Sequence, residues 1–213
     1  MAVQLPNGAL VSIASGYSSS VNITAASNAN PAVATATGHG FLAGDFVEIT
    51  SGWSRLTGKV VKIGAVTANT FELLGVDSTL LTIYPAGSGI GSARKVTGYT
   101  QLSQILSSSS NGGEQQFLDY QTLESDAQKR IPTFKNAAGL TFTVADDTTL
   151  PGYQLAVVAN DDRLPRAVKI TLPSGSVISY NCYISINKTP SLTVNELMAF
   201  ECTMSMLNEP VRY

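Results

Sequence analysis

Charge is what this sequence has least of. Only 13% of its 213 residues are Asp, Glu, Lys or Arg, against about a quarter in most soluble domains. The balance is −2, so there is no basic footprint for gripping nucleic acid. A surface this poor in charge fits one largely covered by other subunits, or a free β-protein with a Ser/Thr-rich exterior. Composition leaves both open. No run approaches eighteen apolar residues, so nothing reads as a membrane-inserted helix. Residues 1–6, Met-Ala-Val-Gln-Leu-Pro, have no basic start and no long apolar core, and so read as no secretory leader.

The shortages extend to reactive groups. Two cysteines and one histidine cannot supply the four ligands of a closed structural zinc site. Without an export signal, Cys182 and Cys202 read as buried free thiols rather than a disulfide. No Gly-Lys-Ser/Thr phosphate loop exists, and Gly87-Ser88-Gly89-Ile90-Gly91 is not followed by a helical pattern. There is no Gly-x-Ser-x-Gly elbow, and a triad would need His39, which stands between Gly38 and Gly40 as a turn residue would. The pairs Asp146-Asp147 and Asp161-Asp162 flank a helical pattern and read as cap and turn residues rather than as a glycosidase pair. No catalysis and no cofactor are expected.

What is present is alternation. Leu140, Phe142 and Val144 take every second place in one run. Ile178, Tyr180, Cys182, Ile184 and Ile186 do so in another, and Met198, Phe200, Cys202, Met204 and Met206 in a third. Successive strand side chains point to opposite sides, so each run predicts one apolar and one polar face. Between the first two, Asp146 to Pro151 offers cap acceptors and a first-turn proline. Leu150, Tyr153, Val157 and Val158 form a helical stripe that ends at Asn160-Asp161-Asp162. Val168–Leu172 and Val177–Ile186 pair across Pro173-Ser174-Gly175-Ser176 as a hairpin. The expectation is an antiparallel sheet, packed on one face and wet on the other.

Upstream, Ala9–Ser15 reads as a strand and Gly16–Ser20 as a linker. Residues 21–96 have a different texture. Short β-rich runs (32–37, 46–50, 60–66, 70–74 and 80–84) alternate with turn signals, which argues for a small barrel or sandwich. Both crossings into this segment read as linkers, which would make it removable. Trp53 reads as a cap on the small core, with a sugar- or base-stacking platform as the alternative. Tyr99–Leu106 returns as a strand. Residues 107–132 read as a long polar loop, in which Phe117, Tyr120 and Leu123 recur at helical spacing over a possible short helix, 114–124. Such anchors suit either a surface that orders against a partner or a loop folded back on its own domain.

Several stretches carry a resemblance. Gly112-Gly113-Glu114-Gln115-Gln116-Phe117, Gln128 to Lys135 and Leu140 to Asp147 resemble the major tail tube protein of long-tailed, non-contractile bacteriophages. Leu172 to Ile178 and Lys188 to Thr193 fit the same family, so the likeness spans 9–16 and 96–213. Gly38 to Asp45, with Leu56-Thr57-Gly58, resembles a small β-module of many phage tail proteins.

The resemblance implies a mainly β, tail-tube-type β-sandwich or split barrel with one flanking α-helix. It implies a discontinuous core domain, 1–19 and 96–213, and an inserted module, 20–95, on the tube exterior. The implied role is structural: a virion subunit, assembled in the host cytoplasm, whose sixfold rings stack into the tail tube for DNA ejection. Expected partners are its own copies, the tape-measure, tail terminator and baseplate or tail-tip proteins, and double-stranded DNA in non-specific transit.

On that reading Thr141, Thr143, Asn181, Ser185, Glu201, Thr203 and Ser205 face the channel, and Glu114, Phe117, Tyr120, Leu123 and Arg130 belong to an inter-subunit loop. Lys169 falls on the nominally channel-facing side, so it either meets a neighbouring subunit's carboxylate or sits where its strand curls away. Two other readings stand beside this one. One is a different tail ring protein such as a tail terminator; the other is a carbohydrate-binding β-module using Trp53, Tyr84 and Tyr99.

Overall fold

A computed structural model describes residues 5–213, so the first four positions of the leader reading over residues 1–6 lie outside the described residues. Strand β1 (Leu10–Tyr17) leads through Ser18–Ser20 into six short strands. These are β2 (Val21–Ile23), β3 (Ala25–Ala26), β4 (Ala32–Thr35), β5 (Phe46–Ser51), β6 (Lys59–Val66) and β7 (Thr70–Leu73). The run expected at 80–84 is a turn instead, held by Tyr84 N–H on the Leu80 carbonyl.

Strand β8 (Gly91–Leu102) then runs unbroken. Its first half pairs with β5, Val47 opposite Lys95, and its second half with β1, Val11 opposite Leu102. The crossing at 95/96 is therefore mid-strand and not a linker, and Gly16 and Tyr17 belong to β1.

The stretch read as a loop at 107–132 is mostly strand. It holds β9 (Ile105–Asn111), β10 (Gln115–Tyr120) and the start of β11 (Lys129–Lys135). The helix weighed over 114–124 does not form. Gln115 and Phe117 to Tyr120 pair across a ribbon with β11 instead, which lets Phe117 and Leu118 point to opposite sides.

After β12 (Gly139–Ala145) comes the single helix among the described residues, α1 (Pro151–Asp162). Its start differs from expectation. Leu150 is the cap residue and gives no side-chain bond; Asp147 Oδ1 instead accepts from Thr149 N–H at 3.0 Å, closing a turn before the helix. Its buried face is Gly152, Ala156 and Ala159, while Val158 points outward. Small residues let the helix lie close: a Cβ on Gly152 would meet the Gln101 carbonyl oxygen at 2.3 Å.

The chain ends in β13 (Arg166–Thr171), β14 (Val177–Ile186), β15 (Ala199–Met206) and β16 (Val211–Arg212). The β13–β14 hairpin forms as predicted, Thr171 opposite Val177. Met198 precedes β15 and is exposed.

One antiparallel path orders the main sheet β3-β4-β7-β6-β5-β8-β1-β13-β14-β15-β12-β9. It is curled rather than flat, because a single core collects residues from strands far apart along it. Val11, Ile13, Leu102 and Val168 come from β1, β8 and β13; Phe142, Val144, Phe200, Cys202 and Met204 come from β12 and β15. Tyr180, Cys182, Ile184 and Ile186 of β14 join both groups, and Ala156 and Ala159 of α1 close them over.

Two layers thus face each other, one of β8, β1, β13 and the first half of β14, the other of the second half of β14, β15, β12 and β9. A second core lies within 21–93 around Trp53, Phe71, Val47 and Ile49. A third, small cluster of Ala14, Val60, Val96 and Ala167, with Phe46, Tyr99 and Tyr17 packed on it, joins the segment to the first layer.

Candidate assembly and channel surfaces

The outward side of the second layer is a field of small hydroxyls. Register places Ser185, Thr203, Thr141 and Ser109 in one row across β14, β15, β12 and β9. The next row is Tyr183, Ser205, Gly139 and Asn111, and Glu201, Thr143 and Ser107 make a third. The Thr141 and Thr203 hydroxyls are 3.3 Å apart. Ser185, Glu201 and Ser205 are exposed; Thr141, Thr143 and Thr203 are half-buried by their neighbours. Glu201 is the one charge in these rows.

Sequence reasoning placed six of these eleven residues on this face and missed Tyr183, Gly139, Ser107, Ser109 and Asn111. Tyr183 was legible from the alternation that picked Ser185. Ser107, Ser109 and Asn111 were hidden because a serine run reads as loop when nothing marks it as a strand edge.

Asn181 does not belong to this field. It is 1% exposed, and its Nδ2 donates to Glu48 Oε1 of β5 at 3.1 Å. The reason is that β14 passes from one layer to the other. Outward side chains in its first half lie under the 21–93 core: Ser179, also buried, donates to the Val60 carbonyl at 3.0 Å. Lys169 is resolved by the same cover. Its Nζ lies 4.4 Å from the Tyr99 ring centroid and 5.8 Å from that of Phe46, on the layer turned away from the hydroxyl rows. A cation over aromatic faces is favourably placed without a carboxylate.

The main sheet ends at β9, a strand whose outer edge has no partner among the described residues. Unpaired strand edges recruit other strands unless they are covered. Beside it the β10–β11 ribbon stands apart from the main sheet. Glu114, Phe117, Tyr120 and Arg130 lie on this ribbon or at its root, and Leu123 at its tip, all exposed. Leu118, Ile131 and Phe134 are exposed as well. Arg130 Nε pairs with Asp119 at 2.6 Å across the ribbon, and that hydrogen-bonded carboxylate raises the guanidinium pKa further. A two-stranded ribbon with both faces wet is barely stable alone, so its apolar side chains call for a cover.

The groups that could have carried chemistry are engaged elsewhere. His39 Nδ1 accepts from Phe41 N–H at 3.0 Å, and Nε2 faces the Thr67 carbonyl at 3.0 Å, which places the proton on Nε2. Trp53 is 1% exposed, donates to the Pro85 carbonyl at 2.8 Å and meets Tyr84 edge-on at 5.2 Å. Tyr84 is buried and Tyr99 lies beneath Lys169, so Trp53, Tyr84 and Tyr99 form no exposed sugar platform. Cys182 and Cys202 are free and buried, and burial pushes the Cys202 thiol up to about 12.

A free strand edge, an uncovered apolar ribbon and a broad face with a single charge are features of a structural subunit that works among other chains. The particular family follows from comparison: the chain belongs to the phage tail tube proteins, TTP, whose match covers residues 51–213. It is therefore a structural component of the virion tail.

Among solved structures it is similar to a chain of the virion of a native gene transfer agent (GTA) particle. The identity is 12% over 54% of this chain and 88% of that one, with a TM-score of 0.43. It is also similar to a chain of the tail of an empty GTA particle determined with C6 symmetry. There the identity is 12% over 55% of this chain and 88% of that one, with a TM-score of 0.45. No curated protein matches.

Proposed function

We propose that the chain is the major tail tube subunit, that six copies close a ring, and that stacked rings form the conduit for DNA. The ring number comes from the resemblance to long-tailed phage tubes. The wall of the conduit is the hydroxyl face: Thr141, Thr143, Ser185, Glu201, Thr203 and Ser205, with Tyr183 and the β9 serines added and Asn181 removed.

One observation carries the reading, the near-absence of charge from rows of small hydroxyls on one open layer. Each Lys or Arg that meets a phosphate releases counterions and adds grip, and a tube multiplies every grip by its subunits. Hydroxyls and one carboxylate per protomer leave DNA free to slide.

The free edge of β9 supports ring closure, since pairing it around the ring removes the exposed edge. The apolar ribbon supports contact with neighbouring copies. The segment 20–95 decorates the outside: it covers the outward side of the first layer, across the core from the hydroxyl rows. The role involves no catalytic step and no cofactor. Other partners are the tape-measure inside the tube and the terminator and tip proteins at its ends.

Negative-stain microscopy of the purified protein tests the proposal. Long hollow tubes are expected. A folded protein that stops at single rings overturns it in favour of a terminator-type role.

A further inference from the structure

Where the ribbon leaves the body, Arg55, Lys59, Phe134, Lys135 and Glu209 line an open pocket of about 430 Å³. Its charges do not balance. Glu209 pairs with Lys135, and it is the carboxylate held below its usual range by Lys135 first and by Lys59 and Arg55 beyond it. Lys59 and Arg55 have no ion-pair partner among the described residues. Lys59 is half-buried, and burial, with Arg55 nearby, pulls its ammonium below lysine's ordinary value. Three cations around one carboxylate, partly desolvated, make a concave site short of negative charge.

The ribbon tip has the opposite surplus. Leu123 is fully exposed, with Glu124 and Asp126 exposed beside it and neither acid ion-paired among the described residues. The strand β10 alone spans about 17–20 Å, and residues 121–128 extend it, so the tip stands clear of its own pocket. Ribbon and tip together are of the same order as the spacing between neighbouring protomers of this length, whose radius of gyration is about 17 Å.

We propose that the pocket of one copy receives the ribbon tip of the next, with Glu124 and Asp126 opposite Arg55 and Lys59 and Leu123 covering Phe134. This rests on the tube reading and names the acceptor within it. Tip and pocket are different surfaces of one chain, so the contact is head-to-tail. Such a contact propagates without consuming itself, as an open stack requires. It also gives Phe134, 66% exposed in the protomer, an apolar cover.

The test uses the full chain with Arg55→Cys and Glu124→Cys together, treated with a short bis-maleimide under tube-forming conditions. The native thiols are buried and do not compete. A ladder of covalent multimers is expected, with neither single variant giving one. Tubes without a ladder overturn the acceptor and leave the tube reading standing; a wild-type protein that forms no tubes under the same conditions overturns both.

Charge reversal is the second arm. Glu124→Arg with Asp126→Arg, and Arg55→Glu with Lys59→Glu, should each slow tube growth by about tenfold. Combining all four substitutions should restore it. A combined protein slower than either pair overturns the contact.

Discussion

The amide of Asn181 in β14 and the carboxylate of Glu48 in β5 meet at 3.1 Å, and through them the two-layered body grips the 21–93 segment. Arg94 reaches the same carboxylate at 2.7 Å while lying 4.1 Å over the Tyr17 ring. Glu48 is 11% exposed at the side chain and Arg94 39%. Removing a largely buried partner strands the others, at a cost of about 3 kcal/mol when burial is complete and less here, since Arg94 is partly hydrated. Glu48→Ala should therefore lose roughly 2 kcal/mol in urea unfolding, and Glu48→Gln less, because it keeps an acceptor for Asn181. Equal stability of Glu48→Ala and wild type would show the link to be incidental.

Phe200 is 3% exposed and meets Tyr153 of α1 edge-on at 5.1 Å, while Glu201 next to it is exposed. Phe200→Asp should abolish folding, because it buries an unpaired charge. Phe200→Ala should cost about 3–5 kcal/mol. Glu201→Gln should melt with wild type. Circular dichroism melts of the three separate the faces of β15.

Cys182 and Cys202 should resist alkylation in the native protein. Burial pushes the Cys202 thiol up to about 12 and raises Cys182 as well, so almost no thiolate exists at neutral pH. Mass spectrometry after iodoacetamide should show two labelled thiols only above the unfolding transition. Labelling well below it would mean that the core opens locally.

Hydrogen exchange should distinguish the ribbon from the body. Amides of β10 and β11 should exchange fast in the monomer and slowly in the tube, because the ribbon gains a cover only on assembly. The same rate in both states argues that the ribbon stays free.

Thr203 sits at the centre of the hydroxyl rows, between Ser185 and Thr141. Thr203→Arg should leave tubes intact but slow or stall genome ejection, with retained DNA, since each added cation grips phosphate. Ejection at the wild-type rate, from particles shown to carry the substitution, removes these rows from the channel.

Period-two alternation made β12, β14 and β15 legible, because each carries its apolar residues on a face with one destination. The same rule misplaced Asn181, since alternation tells which side a residue faces but not what covers that side. Glu48, its cover, is 133 positions away in the chain. The serine run at 107–110 was illegible for another reason: its strand form depends on pairing to β12, not on any preference of serine. Residues 114–120 show the same effect, with helical spacing overruled by the partner strand β11.

Strand β8 has a mechanical consequence. It is one backbone shared by two cores, so the 21–93 segment has no swivel where it meets the first layer. A load applied at Leu42 or Leu80, both exposed on that segment, passes down β8 into β1 as tension and torque instead of being lost in a slack tether. If that segment stands outside the tube, as proposed, whatever touches it there pulls on the bore.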